Sequence, residues 1–296
     1  MFKSIDEVIH NTVKLRDGRV LGYAEYGDTN GKAVFHFHGS GGSRLEHPSD
    51  LSILTKIGIR FISTDRPGHG ISDPQPNRNL LDWADDISEL ATKLGINKFY
   101  VMGHSAGGPY ALACAYKLAN RIISCGIVSG LAPYSRPNPY KDLSFTYKLL
   151  MFAIRNFPTA NIYLRKQMAK ALEGDNDEIG QKLLSGFPKE DKEHLTIPEN
   201  LDLLLNEIKE GYRQGSAGPA LDDIVINSPW GFDIEKIEVP TFIWHGEVDR
   251  NVPLLQGEYL HQKMLNSELI ILKGQAHLYI YSMWKEILTK LTSRKL

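Results

Sequence analysis

A chain of 296 residues, 42% hydrophobic and 23% charged, is long enough to bury a large core and has the composition of an ordinary water-soluble globular protein. Its net charge of −1 gives no global reason to expect nucleic acid or an anionic membrane as partner, so function has to come from a local site. No apolar stretch is long enough for a membrane span, and the opening Met1-Phe-Lys-Ser-Ile-Asp-Glu-Val8 lacks the apolar core of a signal peptide, so a cytoplasmic location is expected.

In chain order, Asp17-Gly18 separates two strand-like runs, Thr12–Leu15 and Arg19–Tyr26, which predicts an opening antiparallel hairpin. Ala33–His38 is nearly continuously apolar, the pattern of a strand covered on both faces, and it ends in His38-Gly39-Ser40-Gly41-Gly42. Such glycines let backbone N–H groups approach a ligand, as an oxyanion hole requires, although the loop alone fits a flexible connection equally well. A short helix over Ser49–Lys56 and a strand over Arg60–Asp65 follow. The turn-rich Arg66–Asp73 then reads as a rigid loop bracing what comes next, with His69 and Asp73 in structural roles. Apolar residues at helical spacing from Leu80 to Leu94, stopped by Gly95, predict an amphipathic helix over Asn79–Leu94.

Phe99–Met102, suited to a buried strand, runs into Gly103-His104-Ser105-Ala106-Gly107, and an Ala-rich helical run begins at once. The five-residue pattern alone fits an incidental serine in a glycine-rich turn as well as a nucleophile elbow. The strand before it and the helix after it favour the elbow, which lifts the Ser105 hydroxyl clear of the sheet above a helix N-terminus. With Ile122–Ser129 as the next strand, the alternation from Ala33 onward predicts an α/β protein with a mostly parallel sheet. Cys114 and Cys125 have no metal-type spacing and read as two buried thiols, and no metal or cofactor is expected.

Residues 133–230 break the alternation. Helices are predicted over Tyr140–Arg155, Pro158–Leu172, Asp177–Ser185 and Pro198–Gln214, with no convincing strand, so the core spans 1–132 and 231–296 and the insertion reads as a helical cap over a site. Leu149–Ile154 is apolar over more than half of a helix circumference. Packing explains most of that, and Met151 and Phe152 are the candidates for walls of an apolar substrate pocket. The α/β pattern then resumes with a strand at Pro240–Trp244, a loop at His245–Pro253, a helix at Leu255–Leu265, a strand at Glu268–Leu272, a loop at Gly274–His277 and a closing helix at Tyr279–Leu291.

A serine hydroxyl needs a base to take its proton and a third group to hold that base. Of ten histidines, His104 adjoins the serine in a tight turn that aims it away, His36 and His38 belong to a buried strand, and His261 sits mid-helix near the surface. His277 follows the last strand at the edge where parallel α/β sheets bind ligands, and it is the chosen base. Asp249, in the loop after the preceding strand, is the chosen acid, with Glu247 as its rival. The order Ser105, Asp249, His277 is that of the nucleophile-elbow enzymes.

These motifs, with Asp65-Arg-Pro-Gly-His-Gly-Ile-Ser-Asp73 and His245-Gly-Glu-Val-Asp249, resemble the α/β-hydrolase superfamily in its serine-nucleophile, helical-cap form, over nearly the whole chain outside the cap. The resemblance implies oxyanion donors at the backbone N–H groups of Ser40 and Ala106, and a scaffold role for 65–73. Gln275-Ala276 before the histidine is a mild departure, since many relatives have Gly-His there. Serine at the elbow argues against the epoxide and halide chemistries of relatives with an aspartate nucleophile. His104 and Ala106 beside the serine, where proline-peptidase relatives tend to have glycine and tryptophan, lower that option. The expected function is hydrolysis of a carboxylic ester or related acyl bond of a small molecule. Lactone opening, carbon–carbon bond hydrolysis and peptidase action remain open on the same triad, and a slow-turnover small-molecule receptor is the alternative from another class.

Overall fold

The hairpin signalled by Asp17-Gly18 forms as strands β1 (Asn11–Lys14) and β2 (Val20–Gly27), paired antiparallel. Gly18 takes a φ of 92°, which the turn requires and a residue with a Cβ rarely adopts. The structure, a computed structural model, describes residues 10–135, 148, 149, 152 and 157–294. Among these residues β3 (Lys32–Phe37), β4 (Ile59–Thr64), β5 (Phe99–His104), β6 (Ile122–Val128), β7 (Thr241–Gly246) and β8 (Ser267–Leu272) complete an eight-stranded sheet ordered β1-β2-β4-β3-β5-β6-β7-β8. β2 meets β4 antiparallel, and every pairing from β4 to β8 is parallel.

The continuous apolar runs have the origin expected of strands covered on both faces. Phe35, Phe37, Phe99 and Val101 point into one apolar cluster, while Val34, Tyr100 and Met102 point into another on the opposite face. The first cluster is closed by α2 (Leu80–Lys93) and α3 (Gly108–Lys117), and the second by α10 (Ile280–Leu291). α2 starts on a capping box in which the Asn79 side chain accepts from Leu81 N and Asp82 N while Asp82 reaches back to Asn79 N, an arrangement worth about 1 kcal/mol. The short α1 (Ser52–Lys56) and α9 (Leu254–Lys263) complete the flanking layers. β8 is one edge of the sheet, and its residues are half-buried or exposed, none of them fully buried.

Between β6 and β7 lie the α-helices α4 (Pro158–Ala171), α5 (Asn176–Gly186), α6 (Lys189–Leu195), α7 (Pro198–Gly211) and α8 (Ala217–Ile226), followed by a 3₁₀ turn at Ile234–Lys236. α6 and α8 are not anticipated by the sequence reading. The helix expected over Tyr140–Arg155 falls almost entirely outside the described residues. α7 lies directly on the loop after β3: a Cβ at Gly211 would sit 2.1 Å from the Gly41 carbonyl oxygen, so only glycine permits this approach.

Candidate active site

β3 and β5 are neighbours, with Phe37 opposite Gly103, so the loop after His38 and the turn at Ser105 leave the sheet side by side at its carboxyl edge. Ser105 has a φ of 52°, a left-handed conformation that costs a residue with a side chain on the order of 1–3 kcal/mol. Its neighbours make this possible. A Cβ on Gly103 would lie 2.1 Å from Gly107 O, and one on Gly107 would lie 2.0 Å from Phe37 O. The chain passes through a single 3₁₀ turn, Ser105–Gly107, into α3, whose first N–H groups lack intrahelical partners.

At the same edge, the loop after β7 carries Asp249 and the loop after β8 carries His277. His277 Nδ1 lies 2.7 Å from Asp249 Oδ2, and both side chains are buried. The other Asp249 oxygen accepts from Asn251 N and Val252 N, both at 2.9 Å. With Nδ1–H directed at the carboxylate, Nε2 is the acceptor nitrogen of neutral His277. Burial by itself would lower the His277 pKa. The Asp249 charge and hydrogen bond, reinforced by Asp191 and Glu46, outweigh it and raise the pKa above 6.5. Burial pushes Asp249 up, but the charge and hydrogen bond of His277 prevail and hold it below the ordinary aspartate value. The rival acid is elsewhere: Glu247 is exposed and accepts from Gly274 N at 3.0 Å.

The remaining histidines have other partners. His104 turns its Nδ1 to Glu46 Oε1, 2.5 Å away, with its ring centroid 5.3 Å from that of His277. His36 and His38 are fully buried; His38 accepts from Arg66 N on Nε2, which leaves Nδ1–H to donate to Gly39 O. His261 is exposed, as its place in a surface helix suggests.

The loop after β3 is pinned peptide by peptide. Arg66 donates from Nη1 to His38 O at 2.5 Å and from Nη2 to Gly39 O at 2.9 Å, and Gly39 N donates to Glu46 Oε2 at 2.9 Å. A trans peptide is planar, so anchoring the Gly39 carbonyl turns the Ser40 N–H to the opposite side. Arg66 is itself held by Asp222 of α8, which also takes Arg78 and the Tyr110 hydroxyl. Burial would raise Asp222, yet Arg66, His69 and Arg78 drive its pKa far below the carboxylate range. The Ser40 hydroxyl meets Arg165 Nη2 of α4 at 2.6 Å, and Arg165 is paired with Asp223. The 65–73 segment thus makes most of its bonds to this loop and to the opening hairpin, through Arg44 N and Nη1 to Asp65 and Val20 N to Asp73. Toward the helix that follows the elbow, Arg66 lies over the Tyr110 ring of α3, 4.9 Å from its centroid.

On the histidine side α6 supplies Asp191, whose buried Oδ1 accepts from His277 N and Leu278 N, each at 2.7 Å. His194 of the same helix bonds Gln275 Oε1 at 2.6 Å. Asp191, Asp222 and Glu46 are residues of this region that sequence reasoning missed, and Arg66 entered only as part of the bracing loop. The one signal was the pair Asp222-Asp223 inside the otherwise apolar Ala220–Ile226. Of the two expected pocket residues, Met151 lies outside the described residues. Phe152 is half-exposed, with its ring centroid 6.3 Å from that of Phe157. Among the described residues no group of three or more histidine, cysteine or acidic side chains is arranged to hold a metal, and no helix is long and apolar enough to cross a membrane.

Comparison with known proteins agrees with this architecture. Residues 33–289 match the Alpha/beta hydrolase family, and the chain belongs to it. It is 24% identical over 269 residues to a bifunctional esterase/perhydrolase of Acinetobacter calcoaceticus, covering 90% of this chain and 92% of that protein. A proline iminopeptidase of Thermoplasma volcanium is 28% identical over 258 residues, covering 84% of this chain and 82% of the relative. Among solved structures, an esterase from Exiguobacterium antarcticum superimposes with a TM-score of 0.70 at 19% identity, over 96% of this chain and 98% of that one, and so shares the fold.

Proposed function

We propose that this member of the alpha/beta hydrolase family cleaves a carboxylic ester, or a related acyl bond, of a small and largely apolar substrate through an acyl-enzyme on Ser105. The observation that carries the reading is the His277–Asp249 hydrogen bond at the sheet edge where Ser105 is held in its left-handed turn. His277 Nε2 takes the Ser105 proton as Oγ attacks the carbonyl carbon, and the carbonyl π electrons move onto oxygen. The resulting oxyanion is met by the N–H groups of Ser40 and Ala106, the first oriented by the anchored Gly39 carbonyl and the second by the helix start. His277 then gives its proton to the leaving oxygen. Water repeats the cycle on the acyl-enzyme, and Asp249 stabilises the imidazolium in both halves.

In this reading the helices between β6 and β7 form the cap, and Met151 and Phe152 remain the candidates for its apolar wall. Each buried methylene of an acyl chain stabilises binding by roughly 0.8 kcal/mol, so catalytic efficiency rises with chain length over the first few carbons and falls when the cap is filled.

The test is a fluorophosphonate probe with a p-nitrophenyl ester series. The probe adds mass at Ser105, and both labelling and hydrolysis vanish in Ser105→Ala while the thermal midpoint stays within a few degrees. Labelling that survives in Ser105→Ala overturns the assignment. Turnover of roughly 1 per second or faster separates an enzyme from a receptor of the same fold.

A further inference from the structure

Glu46 is 1% exposed, and an ionised carboxylate withdrawn from water costs several kcal/mol unless its oxygens are matched. Here they are met by groups from two neighbouring segments, β3 with the loop after it and the end of β5. Oε2 accepts from Gly39 N at 2.9 Å and lies 3.1 Å from His36 Nε2. Oε1 meets His104 Nδ1 at 2.5 Å. Burial alone would raise the Glu46 pKa, but His104 and His36 outweigh it and keep it well below the usual carboxylate range. The next carboxyl, Glu207 of α7, takes a hydrogen bond from Tyr281 Oη at 3.0 Å; burial and the Glu46 charge push its pKa well up.

Two of the Glu46 partners lie within two positions of the residues whose N–H groups face the oxyanion in the proposed mechanism: Gly39 directly precedes Ser40, and His104 is two residues before Ala106, with Ser105 between. The segments touch at this point, since a Cβ on Gly39 would lie 3.5 Å from His104 Nδ1 and 3.7 Å from Ser105 Cβ. No main-chain bond of the sheet joins them beyond the Phe37–Gly103 step. An oxyanion hole demands that both donors reach one oxygen at about 2.7–3.1 Å, and an error of roughly 1 Å in such a constellation can cost a hundredfold in rate.

We infer that Glu46 is a positioning residue for the oxyanion hole: one carboxylate bridges the Gly39 N–H and the His104 ring and so fixes the separation of the Ser40 and Ala106 N–H groups. The bridge acts on the transition state, because only there does charge develop on the oxygen that both donors must reach. This inference rests on the serine-hydrolase reading above.

The experiment compares Glu46→Leu and Glu46→Gln, with kcat expressed per fluorophosphonate-titrated site so that misfolded protein is not counted. Gln keeps the shape and can still accept from Gly39 N while facing His104; Leu cannot. The expected result is a fall in kcat of about 10- to 100-fold for Glu46→Leu with KM within about twofold, and recovery to within a few-fold of the parent in Glu46→Gln. Affinity for phenylboronic acid, whose boron gains a bond from Ser105 Oγ and becomes a tetrahedral anion, should fall in parallel with kcat. If Glu46→Leu yields no titratable protein, His104→Ala opens the same bridge from its other end and should show the same division between kcat and KM. Unchanged kcat per titrated site, a change confined to KM, or a Glu46→Gln variant no better than Glu46→Leu overturns the inference. Titration of the parent and its loss in Ser105→Ala report on the hydrolase reading alone, so the two can fail separately.

Discussion

The loop after β3, 38–46, is fastened by buried charge: Arg66 against Asp222, Arg44 against Asp65, and Glu46 between two histidine rings. The loop after β8, 275–279, is held instead through its main-chain donors, with the N–H groups of His277 and Leu278 on the buried Asp191 Oδ1, beside the His277–Asp249 pair. Both fastenings run to the helices between β6 and β7, since Asp222 lies on α8 and Asp191 on α6. The difference follows from what each loop supplies. The first offers peptide N–H groups, whose directions are fixed only when the peptide planes are gripped from both sides, and a rigid guanidinium grips two carbonyls at once. In the proposed mechanism the second offers a ring that exchanges protons, which calls for a single well-placed acid beside it and no competing donors.

That contrast predicts an order of sensitivities. The largest effect should come from the histidine side chain's partner. By analogy with the protease triad, Asp249→Asn lowers kcat by up to about ten-thousandfold, by favouring the wrong tautomer, while Glu247→Gln changes little. The reverse pattern in steady-state kinetics would move the role to Glu247. The same pair sets the pH profile. His277 must be neutral to accept a proton and its pKa is raised, so kcat/KM should climb with pH through an apparent pKa above 6.5, and removing the Asp249 charge should move that limb to lower pH. A limb below 6.5 in the parent would contradict the arrangement.

Next comes the charge-held loop. Asp222→Ala leaves Arg66 and Arg78 buried without their acid, so stability to urea should fall by about 3–5 kcal/mol, with activity lost at lower denaturant than the bulk fluorescence change. Coincident transitions would show that the loop is no weaker than the rest of the fold. The smallest effect belongs to Asp191→Ala. It orphans two main-chain donors, at a cost of roughly 1–3 kcal/mol, and should lower kcat only several-fold because the His277 side chain keeps Asp249. A loss as deep as that of Asp249→Asn would mean that main-chain anchoring, not the acid, dominates the histidine side.

The positions of Ser105, Asp249 and His277, the proposed triad, could be picked out because each lies in the turn or loop that follows a strand, and strands reveal themselves by their apolar runs. The elbow was legible for a further reason: Gly103 and Gly107 are demanded by contacts under about 2.5 Å, and those demands show as sequence. Asp191 was not. Lys189–Leu195 is seven residues of mostly charged side chains, and its only buried members are Asp191 and Leu195, so nothing in its pattern separates it from a solvated loop. α8 was hidden by Gly218 and Pro219 in its first turn, although Gly218 is required where a Cβ would meet Gly68 O at 2.1 Å. Glu46, amid turn residues, carries no periodic signal, and its importance lies wholly in long-range partners.

The Arg66–Asp222 link also bears on how the chain reaches its working form. Its two ends are separated by 156 positions in sequence. The β3–β4–β5 segment with its elbow is complete by residue 117, long before the α8 acid exists during synthesis. The serine turn is thus synthesised well before the acid that holds Arg66 on the carbonyls of His38 and Gly39. Closing so long a loop is entropically slow, and domains acquire their distant contacts last. On the proposed function, recovery of hydrolytic activity on refolding should accordingly lag behind recovery of the sheet.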